Sequence, residues 1–259
     1  MSLSLSFASP LSEHINSLED ASLGPLPLLD VAWAVFVAQS LRTSGCGSLN
    51  QPWFQALLAF LFTSLAGTSL TSVVWLGTTP GWLLSNSCFA TYVMVFFVHR
   101  FCPGDALFNV LAVTPVALLM KFFVDVSWAW SITSWGLERA LTVPSKSAPL
   151  AFVCGFTSGC GGGLLCDAFG FSEKQWGVRT PDAIRGPSQG VQLTIALTIT
   201  FYLLINPHRL FDYQPLFSIA DARVVIFLVI FVVESVPAWL ALVRVGGAST
   251  NLQKKKKQA

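Results

Sequence analysis

Apolar residues fill most of this chain in long runs, and short segments with charge, proline or glycine separate the runs. A hydrocarbon core about 30 Å thick requires about 20 residues of apolar helix. Seven windows approach that length, and each is predicted to cross a membrane as a helix. The predicted spans are residues 26–41, 53–76, 82–98, 107–137, 150–171, 190–205 and 224–243.

The composition excludes the soluble classes of protein. Hydrophobic residues make up 53% of the chain and charged residues 11%, whereas about 25% of the residues of a soluble domain are charged. Four of the fifteen Lys and Arg residues form one run, Lys254 to Lys257, so no basic patch remains for nucleic acid. Metal-ligand spacings, a phosphate loop and a nucleophile elbow are absent from the sequence. We therefore expect an all-α membrane protein that is not an enzyme and has no metal.

The basic residues predict the orientation, because cytosolic loops of membrane proteins carry the excess of Lys and Arg. If the C-terminus is cytosolic, ten basic residues lie on the cytosolic side and four on the opposite side. Lys121 falls inside a span and completes the fifteen. Lys256 and Lys257 stand fourth and third from the end, a dilysine pattern typical of retrieval to the endoplasmic reticulum. The alternative is a polybasic tail that contacts anionic lipid.

The spans group into two triplets and a final helix. Residues 1–24 are predicted to form a polar, non-cytosolic tail, and residues 25–104 a first three-helix repeat. Residues 105–206 form the second repeat, 207–245 a loop and the seventh helix, and 246–259 a cytosolic basic tail. Because three spans precede the second triplet, parity alone predicts that the two repeats are inverted relative to each other.

Glycines lie in the middle span of each triplet. They are Gly67 in the second span, and Gly159, Gly161, Gly162 and Gly163 in the fifth. Glycine-interrupted helices in corresponding positions of two halves point to a pathway at the repeat interface, so we predict a helix break at both places. Close packing of helices through small residues is an equal alternative.

Charged residues inside spans are costly and tend to mark pathways. They are Asp30, Lys121, Asp125, Asp167 and Glu234. Lys121 and Asp125 are four residues apart, so on a helix they share a face and can pair. The pair either lines an ion pathway or contacts a neighbouring helix. Glu234 is assigned a structural role near a proline, Asp30 a position at the membrane interface, and Asp167 either exposure to water or attraction of cations.

Several short motifs recur in an order that resembles one known family, the trimeric intracellular cation (TRIC) channels. Leu29-Asp30-Val31-Ala32 resembles the start of the family's first span, and Trp82-Leu83-Leu84-Ser85-Asn86-Ser87 its Asn-Ser stretch. Phe101-Cys102-Pro103 resembles the Phe-Cys-Pro that follows the third span. Gly155-Phe156-Thr157-Ser158-Gly159-Cys160-Gly161 is similar to the family's Gly-Trp-x-Lys-Gly-Ser-Gly in the fifth span.

The resemblance implies a homotrimer in the endoplasmic reticulum membrane, in which each subunit has its own pore through its two inverted triplets. Such a channel passes potassium and other monovalent cations and balances the charge left behind when calcium leaves the store. In this chain the predicted ion pathway includes Lys121, Asp125, Ser158, Gly159 and Gly161.

Two departures from the family pattern concern basic residues. Val124-Asp125-Val126 stands where the family has Lys-Glu-Val, and Ser158 stands where it has a lysine. The resemblance implies a phosphoinositide lipid near Val124 and Trp128, and the loss of the lysine predicts weak dependence on that lipid. Lys121, one turn earlier, is a candidate to replace the lost charge. We expect conductance or voltage dependence to differ from members that keep both lysines.

Two other classes of function fit the same spans. A secondary transporter for a small solute would have parallel triplets around a linking helix, whereas the channel has inverted triplets that follow one another directly. A non-conducting membrane scaffold would lose only stability when Lys121 and Asp125 are both neutralised.

Overall fold

The computed structural model describes residues 9–43, 51–143, 147–171, 173, 175–186, 188–206 and 215–237. Within these ranges the regular structure is helical apart from one hairpin, in which β1 (Ser22–Leu23) pairs antiparallel with β2 (Leu26–Pro27). The first half contains α1 (Ser9–Ser17), α2 (Leu28–Thr43), α3 (Trp53–Leu70), α4 (Gly81–Leu84) and α5 (Asn86–Phe101). A 3-10 turn at Pro103–Asp105 follows α5.

The second half begins with α6 (Ala106–Ala112) and α7 (Thr114–Ile132), and α8 (Arg139–Thr142) prolongs α7. The remaining helices are α9 (Ala148–Phe169), α10 (Asp182–Arg185), α11 (Gln189–Ile205) and α12 (Ile219–Ile230). Serine side chains cap four of the helices by accepting a hydrogen bond from a backbone N–H of the first turn, as serine does at N-caps. These serines are Ser85, Ser147, Ser188 and Ser218.

A helix lies at each of the seven predicted windows. Three continuous helices among the described residues are long and apolar enough to cross a membrane: Trp53–Trp75, Thr114–Thr142 and Ala148–Phe169. The chain therefore has the helices of a membrane protein, and the count of seven spans stays a prediction. The third window is divided, because Ser85 has an extended backbone between α4 and α5.

The fourth predicted span, 107–137, is wrong at both ends. Val113 has an extended backbone, and the crossing helix starts at Thr114 and continues to Thr142. Pro115 is compatible with this start, because a proline fits the first turn of a helix, where its missing N–H leaves no intrahelical hydrogen bond unformed. The seventh window is described only as far as residue 237, so its predicted end at 243 lies outside the described residues.

The predicted helix breaks at Gly67 and along the glycine run of the fifth span are wrong. Helix α3 continues through Gly67, and α9 continues through all the glycines from 159 to 163. A glycine inside a helix keeps its backbone hydrogen bonds and costs only about 1 kcal/mol. Here the glycines let two helices approach: a Cβ on Gly67 would lie 2.8 Å from the carbonyl oxygen of Ser158. The alternative of close packing is the correct one.

In the part of the chain that the structure describes, the helices depart from α geometry elsewhere, at three π-helical segments that continue other helices. They are Thr71–Trp75 after α3, Thr133–Glu138 after α7, and Phe231–Ser235 after α12. A π-helical turn is wider than an α-helical turn and is frequent at functional sites. No sequence pattern indicated these segments.

Among the described residues, the core consists of two apolar clusters. The larger contains residues of α7, α9, α11 and α12 around the fully buried Trp130 and Phe201. The smaller contains residues of α2, α3 and α5, with Phe60 packed between Tyr92 and Phe96. Helix α3 packs against α9, and α2 packs against α5 and α7, so the two groups of helices are joined. The predicted polar tail contains α1, which packs against α12 through the buried Ile15.

Candidate functional site

A cavity of about 1140 Å³ lies between the two groups of helices. Its walls come from α2, α3, α5, α7 and α9, with the start of α11 and the segment after α12 closing one side. The fourth span contributes a stripe of residues three or four positions apart, which is the spacing of one helix face. This stripe is Lys121, Val124, Trp128, Ser131, Trp135 and Arg139.

The cavity extends along the bundle. Arg139 lies near the end of the fourth span, and α9 starts nearby and returns in the opposite direction to Asp167. At 1.5 Å per residue, Ala148 and Asp167 are about 29 Å apart along α9. Both Arg139 and Asp167 line the cavity, so its charged residues lie toward both ends of the helices. This stretch of α9 is comparable in length with the thickness of a hydrocarbon core.

Lys121 and Asp125 form the predicted ion pair. The Lys121 Nζ donates to Asp125 Oδ1 at 2.6 Å. The Asp125 side chain is fully buried, whereas that of Lys121 is 26% exposed and lines the cavity. The hydroxyl of Ser235 donates to Asp125 Oδ2. Asp125 does not line the cavity and instead faces the segment Phe231–Ser235 that follows α12. The prediction that its side chain lines the pathway is therefore not met by the structure.

Glu234 lines the cavity at this level. Its Oε2 lies 3.9 Å from Lys121 Nζ, and the Gln189 Nε2 donates to its Oε1 at 3.5 Å. Glu234 and Ser235 are consecutive residues of the π-helical segment Phe231–Ser235, and both contact the Lys121–Asp125 pair. The sequence interpretation, which gave Glu234 a structural role, missed this position.

The polar centre of the cavity lies where the fourth span contacts α9. The Ser131 hydroxyl donates to the carbonyl oxygen of Ser158 at 2.7 Å, and the Trp128 Nε1 donates to that of Gly159 at 2.9 Å. Ser158 and Gly159 line the cavity, and their place in an ion pathway stays a prediction, whereas Gly161 faces Gly67 of α3 and does not line it.

The remaining predicted residues also belong to the cavity wall. Gly67, Gly162 and Gly163 line it from α3 and α9, and Val124 and Trp128 line it from α7. Lipid binding at Val124 and Trp128 stays a prediction. Lys256 and Lys257 of the predicted retrieval signal lie outside the described residues.

Asp167 anchors the loop at one end of the cavity. It accepts a hydrogen bond at 2.8 Å from Arg179 Nη2 and another from the backbone N–H of Asp182. Arg179 also pairs with Glu173, and these acidic partners raise the pKa of Arg179 above its usual value. Asp167 is therefore held in an ion pair. Toward the other end, Asp30 of α2 lines the cavity and accepts a hydrogen bond at 3.0 Å from the hydroxyl of Tyr92.

A second charged cluster lies outside the cavity. Arg223 of α12 forms two hydrogen bonds with Glu138, of 2.8 and 2.6 Å, and its Nη1 lies 3.5 Å from Glu19. Glu19 also accepts a hydrogen bond at 2.8 Å from the Trp130 Nε1. This cluster joins the N-terminal segment, the π-helical segment after α7, and α12. Among the residues described, no group of three or more His, Cys, Asp or Glu side chains is arranged to hold a metal ion.

Apolar helices that enclose a cavity with charged side chains in its wall are typical of a membrane channel or transporter. The family model of the TRIC channel matches residues 48–240. The chain belongs to the TRIC channel family, which confirms the resemblance found in its motifs. Members of this family are channels and not enzymes.

Solved structures of this family share the fold. One describes the activity of TRIC counter-ion channels in calcium release; it is 18% identical, with a TM-score of 0.68 over 89% of this chain and 99% of the other. A trimeric intracellular cation channel from C. elegans without Ca2+ is 19% identical, with a TM-score of 0.67 over 85% and 93%. A structure of a trimeric intracellular cation channel from C. elegans with bound Ca2+ is 15% identical, with a TM-score of 0.64 over 86% of this chain and 94% of the other. No curated protein sequence matches significantly.

Proposed function

We propose that this protein is a potassium-conducting channel for monovalent cations in the endoplasmic reticulum membrane, where it carries counter-ion current during calcium release. The observation that carries the proposal is the cavity, which reaches toward both ends of the helices and has charged and polar side chains among the apolar ones of its wall. Membership of the TRIC channel family and the similarity of the fold to a structure of counter-ion channels support this proposal.

The proposed assembly is a homotrimer with one pathway in each chain. Trimeric cation channels from C. elegans have a similar fold, which supports the assembly. Within the chain, α2, α3 and α5 form the first repeat and α7, α9 and α11 the second, in inverted orientation. Contact between Gly67 of α3 and Gly161 of α9, the middle helices of the two triplets, supports this division. Helix α12 adds the seventh span.

The proposed orientation and location rest on the basic residues of the sequence. The C-terminus is cytosolic, and Lys256 and Lys257 return the protein to the endoplasmic reticulum. Changing both lysines to serine is expected to move a tagged protein to later compartments of the secretory route. Unchanged reticular staining would contradict the retrieval signal while leaving the channel proposal intact.

The proposed channel depends only weakly on phosphoinositide. Val124 and Ser158 replace the two family lysines, and both side chains are buried in the cavity wall. Neither can supply a positive charge for a lipid phosphate near Trp128. Equal open probability in bilayers with and without phosphoinositide would agree with this proposal, and strict dependence on the lipid would contradict it.

The test of function is reconstitution of the purified protein in a planar bilayer. Potassium is present on both sides first, and a potassium gradient with a second salt follows. Single-channel steps with a reversal potential that follows potassium are expected. A silent bilayer with verified incorporation, also under altered calcium, voltage and anionic lipid, would favour the secondary transporter. The scaffold alternative predicts that neutralising Lys121 and Asp125 together affects stability alone.

A further inference from the structure

We propose that Glu234 of the seventh helix is the carboxylate that attracts cations into the pathway, and that Lys121, shared between Asp125 and Glu234, controls its charge. The proposal rests on the channel function proposed above. It assigns to the seventh helix, which lies outside both three-helix repeats, a direct part in ion selection.

The first step is the position of the three charged groups. Lys121 and Glu234 both line the cavity, and each side chain is 26% exposed, so cations and water in the cavity can reach them. Asp125 is fully buried behind Lys121. At this level of the cavity the accessible carboxylate is thus Glu234, although Asp125 forms the shorter ion pair.

The second step is the unequal sharing of one ammonium group. The Lys121 Nζ is 2.6 Å from Asp125 Oδ1 and 3.9 Å from Glu234 Oε2. A second donor, the Ser235 hydroxyl, fixes the other oxygen of Asp125. Glu234 has a longer contact of 3.5 Å with Gln189. Asp125 therefore holds the lysine, and the charge of Glu234 is only partly compensated.

The third step is the state of the other carboxylates that line the cavity. Asp167 is paired with Arg179, and Asp30 is hydrogen bonded to Tyr92. Asp182, which is 77% exposed, lies 3.7 Å from Arg185 in the loop. Among the described residues, Glu234 combines exposure to the interior of the cavity with weak compensation. A carboxylate of this kind favours cations in a pore.

The fourth step is the π-helical geometry of the segment Phe231–Ser235. Glu234 and Ser235 are the last two residues of this segment and follow one another along the chain. In the π-helical segment both contact the same ion pair: Ser235 reaches Asp125, and Glu234 approaches Lys121. The segment thereby places the accessible acid and the anchor of the buried acid side by side.

Two arrangements of Lys121 follow from these contacts. With Lys121 held by Asp125, Glu234 presents a negative charge to the cavity, and cations are attracted. If Lys121 moves to Glu234, the ammonium neutralises that carboxylate in the pathway. The two carboxylates are close enough to the same ammonium that rotation of the flexible lysine side chain suffices. Asp125 thus acts through Lys121 as a positioning residue, and Glu234 acts on the ion.

The experiment compares single-channel conductance and reversal potential in low salt, under a gradient of potassium chloride. Glu234→Gln is expected to lower potassium conductance about three-fold, the change in local cation concentration that one charge produces at about 6 Å in water. The reversal potential should move toward that of chloride. Asp125→Asn should produce a similar decrease, because it releases Lys121 to Glu234. Glu13→Gln, the same chemical change on an exposed residue of α1, is the matched control and should behave as the wild type.

A Lys121→Gln background separates the two carboxylates. Without the lysine, Asp125→Asn is expected to lose most of its effect on conductance, whereas Glu234→Gln keeps its effect. If Glu234→Gln does not fold, Glu234→Asp, which keeps the charge, should retain conductance, and Lys121→Gln alone should increase it. Wild-type conductance and reversal potential in Glu234→Gln, or an unchanged conductance in Lys121→Gln, would overturn this inference alone. A wild type that does not conduct would overturn the proposed function together with it.

Discussion

Gly67 of α3 and Gly161 of α9 lie against each other where the two helices cross: a Cβ on Gly161 would lie 3.2 Å from the Cα of Gly67. Small residues permit such close approach of helix backbones in membranes. The crossing joins the two proposed repeats and forms part of the cavity wall, since Gly67 lines the cavity. The glycines therefore set the distance between the two halves.

The first prediction concerns the neighbouring glycine, Gly162. A Cβ there would collide with the carbonyl oxygen of Thr63 in α3, and backbone atoms cannot move aside as a flexible side chain can. Gly162→Ala is expected to lower the free energy of unfolding by about 1–3 kcal/mol, which is typical of overpacking. The midpoint of thermal unfolding in detergent, followed by tryptophan fluorescence, measures the change.

Gly163→Ala is the matched control for Gly162→Ala. It is the same change one residue further along α9, and nothing lies within 4 Å of the added Cβ. Because alanine favours a helix over glycine by about 1 kcal/mol, this variant should be as stable as the wild type or slightly more stable. Equal destabilisation by both changes would show that the contact with α3 is not the cause.

The second prediction concerns the lost family lysines. Val124→Lys and Ser158→Lys each place a positive charge in the cavity wall, where Val124 and Ser158 are buried. Both variants are expected to conduct potassium less well, because a fixed positive charge raises the electrostatic barrier to cations. Single-channel recording in low salt measures the decrease.

Val124→Met and Ser158→Thr serve as controls, since they alter size without charge. Lysine variants that match the parent in both conductance and voltage dependence would contradict a pathway along Val124 and Ser158. A decrease of similar size in the uncharged controls would point to packing instead of charge.

The sequence predicted those features that depend on local geometry. The Lys121–Asp125 pair follows from the helical repeat alone, and the structure confirms it. Lys121, Ser158 and Gly159 of the predicted pathway line the cavity, whereas Asp125 does not. Which side of α7 faces the cavity depends on how α12 and the segment after it pack against α7. The pattern of a single helix does not contain that information.

Glu234 and the glycines show why other parts could not be predicted. Glu234 lies in a π-helical segment, and its contacts depend on how that segment packs against α7, which the pattern of a single helix does not contain. The glycine run was compatible with both a helix break and close packing, and only the position of α3 decides between them. Similarly, Glu19 lay in an apparently polar tail, and its role depends on the distant Arg223 and Trp130.

The third prediction concerns the cluster around Arg223. Its two hydrogen bonds with Glu138 are largely shielded from solvent, since each side chain is 17% exposed. Arg223→Gln is expected to lower the free energy of unfolding by about 1–3 kcal/mol, the range for hydrogen bonds to charged groups and for leaving a partner unpaired. Thermal unfolding in detergent measures the change.

A double-mutant cycle isolates the contribution of the pair. Glu138→Gln should also destabilise the protein, and the variant with both changes should lose less than the sum of the single losses. Additive losses would mean that the two side chains do not stabilise the fold together. The contact of Arg223 with Glu19 would remain to be tested in the same way.

The last prediction concerns the charge of Arg179 at one end of the cavity. Arg179 lines the cavity and compensates Asp167 and Glu173, so Arg179→Gln leaves two carboxylates at this end of the cavity without their guanidinium partner. We expect potassium conductance to rise in low salt, because the local cation concentration increases. At about 1 M salt the Debye length falls to about 3 Å, and the difference should disappear.

Arg185→Gln is the matched control, because Arg185 lies in the same loop, is 68% exposed and does not line the cavity. An equal rise in both variants would indicate a general surface-charge effect, and no rise in Arg179→Gln would place the conducting entrance elsewhere.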